Sequence, residues 1–522
     1  MPPSDNYTRE VLARFGDFVG PGAQWQRRLW NVGLVAALRE LREAADAAQA
    51  GALSKAACKG LALSTEQQSA NDPGAGEGHA LLRLRALLRE DLTAGGANYQ
   101  ELIAWTDEIE HDYLHRWQRA VAEQDPPERE QLARALGMHL VGAGFSMPFL
   151  RRWARSLAEG EDPLDAPRLV AETIELSKLP LRRFDVVLTF EKPPPRRFAR
   201  PPEWRTARQI SAWLSARGFG SVRQHGGLLL TIEARDSHAA AHASGDVADR
   251  LRARASVGTR DGLLLQPTSY VSGHPEPLPQ RTSRRAEVRA LEREDALLRL
   301  DQEGPLDQSL ELLSHLNVSP DAVAAAAGWS AVESLLSGPG DEEKLITADR
   351  LAGLVACSWP RAELTTIAWA RIYQAGKHPD ALADELRGYA TNRQRADRVL
   401  RAVVDGEDLQ LSRPAELLAL KRMQRLTRSP REQLLAVQRH AVGSLRRLYR
   451  QRNLVLHGGQ TAGFNLSTAL MLAAPLVGAG MDRLTHAALV DGRSPSEMAA
   501  RAKLEIHRAG TVGAPALTAL LE

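Results

Sequence analysis

The sequence predicts a mainly α-helical protein with one small α+β unit in its middle, and three observations lead there. Ala, Leu, Arg and Glu dominate the 522 residues while Phe, Tyr and Trp make up only 5%, a balance that favours helix. Apolar residues recur at three- and four-residue spacing over long stretches. Only between about Leu181 and Val271 does the texture change to short strand-like runs separated by turn residues.

The first helical stretch runs from Trp25 to about Lys178. Leu29, Val32, Leu34, Leu38 and Leu41, then Leu81, Leu84, Leu87, Leu88 and Leu92, mark its buried faces, and the turn residues Ser69 to Gly74 interrupt it. Residues 1–178 are accordingly expected to form a helical N-terminal domain. Arg183 to Phe190 then reads as a strand, Thr206 to Arg217 as a helix, and Ser221 to His225 as a strand. After the Gly226-Gly227 turn come a strand from Leu228 to Ala234, a helix from Ser237 to Ala255 and a strand from Gly262 to Val271. That order, βαββαβ, is the split arrangement of a ferredoxin-like domain, expected over residues 181–275. Its central run Leu228 to Ile232 carries no aromatic on which a base could stack, so an assembly or structural role is expected of it. Proline-rich basic stretches flank it, Lys192 to Pro202 and His274 to Arg285, and residues 276–304 read as a linker. Helices resume over residues 305–522, with breaks expected at Gly338-Pro339-Gly340, Trp359-Pro360, His378-Pro379, Ser429-Pro430 and Ser494-Pro495.

Length and composition narrow the class. A chain this long exceeds one ordinary core, and the usual domain size gives roughly three to four domains. The hydrophobic share of 43% and charged share of 25% exclude wholesale disorder and point away from a membrane protein. No window reaches the ~18 apolar residues of a membrane span, and the most apolar run, Leu466 to Val477, reads as a buried helix. The start, Met1 to Asn6, lacks the basic-then-apolar pattern of a secretory leader. Two distant cysteines, Cys58 and Cys357, make neither a disulfide framework nor a cysteine zinc site. A reducing cytoplasm is expected.

Net charge is only +3, but its distribution is uneven. Between Ser412 and His457 stand eleven Lys or Arg against Glu416 and Glu432, a local excess of nine. Such a run is either a solvated arginine-rich face or the footprint of a polyanion, which gains affinity by releasing counterions from phosphates.

The run ends in residues that carry chemistry. Ser429 as N-cap and Pro430 at the first helical position open a long helix, and Gly458-Gly459 closes it. Leu434, Val437, Ala441, Leu445 and Leu448 form its apolar stripe, and Arg452 continues that line one step further. The stripe therefore turns polar towards a seam. Asn453 and His457, four apart, share a face with Tyr449. A histidine can take the proton of a ribose 2′-hydroxyl or supply one to the leaving 5′-oxygen. The helix carbonyl end favours the protonated form, so either role stays open. A guanidinium can hold the charge that builds on phosphate, and Asn453 can orient the imidazole or a phosphate oxygen.

The stretch Leu448 to Gly459, with Arg452, Asn453 and His457, resembles the signature of HEPN domains: an arginine, a polar residue after it and a histidine four to six positions beyond the arginine. Gly328 to Leu336, with Trp329 and Glu333, resembles an early helix of bacterial HEPN proteins. The resemblance covers roughly residues 305–522. It implies a HEPN-like helical bundle and a metal-independent endoribonuclease needing no cofactor, with 2′,3′-cyclic phosphate and 5′-hydroxyl products. It further implies catalytic Arg452, Asn453 and His457, with Tyr449, Arg446, Arg450 and Glu333 in RNA-binding or supporting roles, and a homodimer whose two motifs form one cleft. Many such proteins are toxins or antiphage effectors, so a regulatory partner or a phage-derived trigger is expected beside RNA, and no membrane. The alternative implied is a non-catalytic RNA-binding or scaffold module of a defence complex. A variant of the family has a tyrosine two residues after the histidine as a modification target; here that position is Gly459.

Other patterns are weaker. His111 and His115, with Glu108 a turn earlier, have a zinc spacing without a third ligand, so no metal is expected. Gly144 to Pro148 begins like a nucleophile elbow but lacks its closing glycine. Asn71 to Gly76 is glycine-rich without the ending of a phosphate loop. Trp329 and Glu333 also fit a core tryptophan with a salt-bridged neighbour.

Overall fold

The computed structural model describes residues 3–20, 24–29, 31–123, 126–160, 164–195, 200–260, 262–299, 304–338, 341, 345–376, 378, 380–459 and 463–522. It is mainly helical, with one small antiparallel sheet of five strands. The Arg196 to Ala199 part of the first proline-rich stretch, the Pro339-Gly340 turn and Pro379 lie outside the described residues.

Helical spacing in the first 178 residues yields a bundle that starts earlier than the sequence pattern suggested, at Pro3–Val19. Leu34–Gln49 and Ala97–Val121 cross its middle. Phe15, Leu38, Leu41, Leu87 and Trp117 are fully buried there. Hydroxyl and carboxylate caps fix several starts: Ser54 accepts from the Ala57 amide, Ser146 from Phe149 and Asp165 from Arg168. The glycine-rich turn is a structural knot. Asp72 accepts hydrogen bonds from the Gly74 amide, the Tyr113 hydroxyl and the Trp117 indole, at 2.9, 2.9 and 3.0 Å.

The sheet comprises β1 (Arg182–Phe190), β2 (Trp204–Arg205), β3 (Gly227–Ala234), β4 (Leu265–Val271) and β5 (Leu278–Pro279), in spatial order β2-β3-β1-β4-β5. Every neighbouring pair is antiparallel. Central β1 is buried on both faces. Val186, Leu188 and Phe190 meet the helix Ser237–Gly258 side, while Val187 packs on Ile210, Leu214, Phe219 and Tyr270, which is why its sequence is a continuous apolar run rather than an alternation. One expected strand is corrected: Ser221 to His225 does not form one. The outer edge of β3 is taken by Glu203 to Arg205, and Gln224 is instead tied to the helix Ala207–Ser215 through Ala207 O and Ser211 Oγ.

The stretch 276–304, expected as a linker, is packed where it is described. It carries β5, pairs Arg281 with Asp246 and Asp249, and pairs Arg284 with Asp321. Its backbone presses on Gly478, where an added Cβ would stand 2.5 Å from the Glu287 nitrogen.

The C-terminal helices surround Ile346–Ala375, Pro430–Gly458 and Phe464–His486. The break expected at Trp359-Pro360 is corrected as well. Pro360 lies inside the 30-residue helix Ile346–Ala375, where burial of its neighbours on all sides outweighs the one lost backbone bond. Leu466 to Val477 is a buried helix as its composition suggested. The two helical cores interpenetrate: Leu29 is part of the C-terminal core, and Leu454 and Leu472 of the N-terminal one. Among the described residues no helix is long and apolar enough to cross a membrane.

Candidate functional site

The helix Pro430–Gly458, the motif helix, begins at its proline and ends with Gly459 in the left-handed conformation at φ 67°, as proline and glycine at those places require. Ser429 does not cap it; its hydroxyl turns back to Arg425 O. Leu434, Val437, Ala441, Leu445 and Leu448 are all buried. That stripe holds the helix against Ile346–Ala375 and the layers around it.

Arg452 is half-buried, and its guanidinium donates to Asn453 Oδ1 at 2.9 Å. Its Nε is buried without a hydrogen-bond partner. Asn453 is buried, at 9% exposure. His457 stands exposed in the last turn, and its side chain makes no hydrogen bond among the described residues. Arg452 and Asn453 are thus joined to each other, and His457 to neither. Tyr449 is half-buried with its ring 4.9 Å from that of Trp329. Trp329 is a fully buried core residue, while Glu333, a turn away, has no ion-pair partner among the described residues.

The basic run has partners that local sequence does not show. Arg447 and Arg450 are both buried and both donate to Glu40, on the helix Leu34–Gln49, at 2.5 and 2.9 Å. Burial alone would push the Glu40 carboxyl up, but the charges and hydrogen bonds of the two arginines bring it below its ordinary value. Arg450, for which the sequence suggested an RNA-binding or supporting role, is buried in this seam. Further along, Arg422 and Arg27 converge on the fully buried Glu363, each at 3.1 Å. Lys421 meets Glu10 at 2.6 Å and Arg425 meets Glu128 at 2.9 Å. Arg446 reaches Asp349 at 3.0 Å in a pair that is 39% and 43% exposed.

Sequence reasoning missed Glu40 and a second histidine, His440. The latter lies against Asn31 at 3.3 Å, and burial, with Arg134 next, pushes it down to about 4. The weaker motifs resolve into structure. Ser146 caps a helix and donates to Asp236 at 2.7 Å, and Glu108 pairs with Arg116 at 2.9 Å. Among the described residues no group of three His, Cys, Asp or Glu could hold a metal ion. Compared with family models, with curated proteins and with solved structures, the chain finds no match.

Proposed function

We propose that the chain is a metal-independent endoribonuclease that cleaves RNA by attack of the 2′-hydroxyl, leaving 2′,3′-cyclic phosphate and 5′-hydroxyl ends. The observation that carries this reading is the end of the motif helix: Arg452 bonded to Asn453 at 2.9 Å, with its Nε unpartnered, one turn from an exposed His457. A guanidinium with spare donors can take the charge gathering on phosphate, and an exposed imidazole is free to accept or deliver the proton.

On the same reading residues 305–522 are a HEPN-like unit, with a helical domain over 1–178 and a ferredoxin-like one over 181–275 that hold it inactive or sense a trigger, in the manner of a toxin or antiphage effector. The split core of β3, its following helix and β4 around β1 supports the ferredoxin-like likeness. Two copies would meet at the motif helices. Leu456, 52% exposed beside His457, supports such a contact. The cytoplasm suits the free, buried thiols Cys58 and Cys357.

The test is expression of wild type beside Arg452→Ala and His457→Ala, with mapping of 5′-hydroxyl RNA ends and the purified proteins assayed in chelator. Each variant is expected to lose about 10²–10⁴-fold in cleavage, and chelation to change nothing. Equal RNA ends in all three strains, with no cleavage by purified wild type, refute the reading.

A second reading is a non-catalytic RNA-binding or scaffold module of a defence complex. It is favoured by the absence of any bond between His457 and Arg452 among the described residues and by the structural use of Arg447 and Arg450. RNA affinity that survives His457→Ala, without any cyclic phosphate product, selects it.

A further inference from the structure

A cleft of about 1300 Å³ lies between the two helical bundles, with the motif helix along one wall. That exceeds the usual pocket for one small molecule, about 300–1,000 Å³. Among the described residues that line it, seven are Lys or Arg and two are Asp. One of those acids, Asp72, offers little charge to a ligand, because its oxygens already serve Tyr113, Trp117 and Gly74.

The motif helix presents Arg439, Gly443, Arg446 and Arg450 to the cleft, in steps of four, three and four. On this helix the described lining ends at Arg450, and Asn453, the next step, is buried.

The charges differ in availability. Arg439, on the motif helix, and Lys503, on the helix Pro495–Arg508, are exposed and have no acidic partner among the described residues. Among the described residues Arg446 is held only by the half-exposed Asp349, a pair that a phosphate can replace at small cost. Arg450 is closed off by Glu40 at the inner end. Between them residue 443 is glycine where Asn31 comes close to the helix: a Cβ there would stand 3.1 Å from Asn31 Oδ1, an oxygen that is buried without a partner. Of the aromatic rings in the described lining, Tyr113 and Trp117 are buried, at 2% and 1% exposure, His440 is half-buried, and the imidazole of His507 is exposed. Bases find at most that small ring to stack on, and recognition falls to the phosphates.

We propose that this cleft binds the sugar–phosphate backbone of single-stranded RNA, held by Arg439, Arg446 and Lys503. The choice of RNA rests on the ribonuclease reading; the choice of a phosphate chain rests on the cleft itself.

The test uses the full chain and a fluorescein-labelled, all-2′-O-methyl RNA decamer, which 2′-hydroxyl attack cannot cleave, with anisotropy measured over a series of KCl concentrations. Arg439→Ala combined with Lys503→Ala is expected to weaken binding about 10-fold or more and to lower the logarithmic salt slope by about 1.4, two lost single-strand contacts at about 0.7 each. The exposed Arg401→Ala, outside the cleft, is expected to bind as wild type does. Wild-type affinity in the double variant overturns the groove, as does an equal loss in Arg401→Ala. ATP binding more tightly than the decamer, and lost in the double variant, replaces the strand with a free nucleotide. If the decamer binds through the cleft but natural RNA is never cut, the nuclease reading fails while the groove stands.

Discussion

Arg450 and Arg452 lie two positions apart on one helix, yet one is buried against a carboxylate and the other keeps an unpartnered nitrogen. Arg450 shares Glu40 with Arg447 and helps fasten the N-terminal bundle to the C-terminal one. Among the described residues Arg452 has only its neighbour Asn453. Two residues turn a helix by about 200°, enough to move a side chain from the seam to the opposite flank. The contrast teaches that a run of arginines is not one feature. Between Lys421 and Arg450, Lys421, Arg422, Arg425, Arg447 and Arg450 join the N-terminal helices or neighbouring layers, and the proposed chemistry falls to the last two turns.

The sharpest way to break that contrast is to remove the carboxylate on the seam. Glu40→Gln leaves Arg447 and Arg450 buried without a counter-charge, and breaking a buried pair in this way costs about 3–5 kcal/mol. Thermal unfolding followed by circular dichroism should show a large drop in midpoint. Replacing the whole cluster, with Glu40→Leu, Arg447→Met and Arg450→Met together, should recover most of it, since apolar groups of similar volume often do as well as buried ions. Arg452→Ala should move the midpoint by no more than a surface substitution does. If Arg452→Ala destabilises as much as Glu40→Gln, the two arginines play the same structural part.

A smaller effect sharpens the comparison at the other side of the seam. His440 sits half-buried beside Asn31 and is pushed down from an ordinary 6.5 to about 4. Its folded-state value is below its unfolded one, so between those two values the unfolded chain holds the proton and the native chain does not. Stability from this residue is therefore full above pH 6.5 and is lost as pH falls towards 4. Asp72 runs the opposite way, because burial raises it from 3.8 to about 6, and His139, lowered to about 4, runs with His440. Comparing wild type with His440→Gln cancels both. The stability difference between the two should shift by about 2 kcal/mol, after allowance for partial exposure, between pH 7 and pH 4.5 in urea titrations. A flat difference means that water reaches the imidazole.

These partners explain what was legible in the chain beforehand. The ends of the motif helix could be read because Pro430 and Gly459 act locally, and the burial of Leu434 to Leu448 could be read because it follows a helical period. The fate of Arg450 could not, since Glu40 is 410 residues away along the chain. Ser221 to His225 looked like a strand because nothing local announces that Glu203 to Arg205 already hold the edge of β3. Pro360 looked like a break because the cost of proline in a helix is local, whereas the burial of Leu354, Val355, Trp359 and Leu364 around it is not. For the site, the residue types of Arg452, Asn453 and His457 were visible, and so was the turn that separates them. The cleft was not: Arg439 and Lys503 become neighbours of one cavity only through tertiary packing.

The smallest expected effect concerns Arg446, which stands between the two behaviours. It is on the cleft side of the helix, like Arg450, but its partner Asp349 is half-exposed. Water already screens that pair, so Arg446→Ala should cost less than about 1 kcal/mol in stability. If the groove holds a phosphate chain, the same change should weaken binding of the uncleavable decamer several-fold and lower the salt slope by about 0.7. A stability loss close to that of Glu40→Gln, with binding unchanged, would assign Arg446 to the seam; the opposite pair of results assigns it to the strand, since removing a cation cannot lower the salt slope unless that cation had been displacing counterions from phosphate.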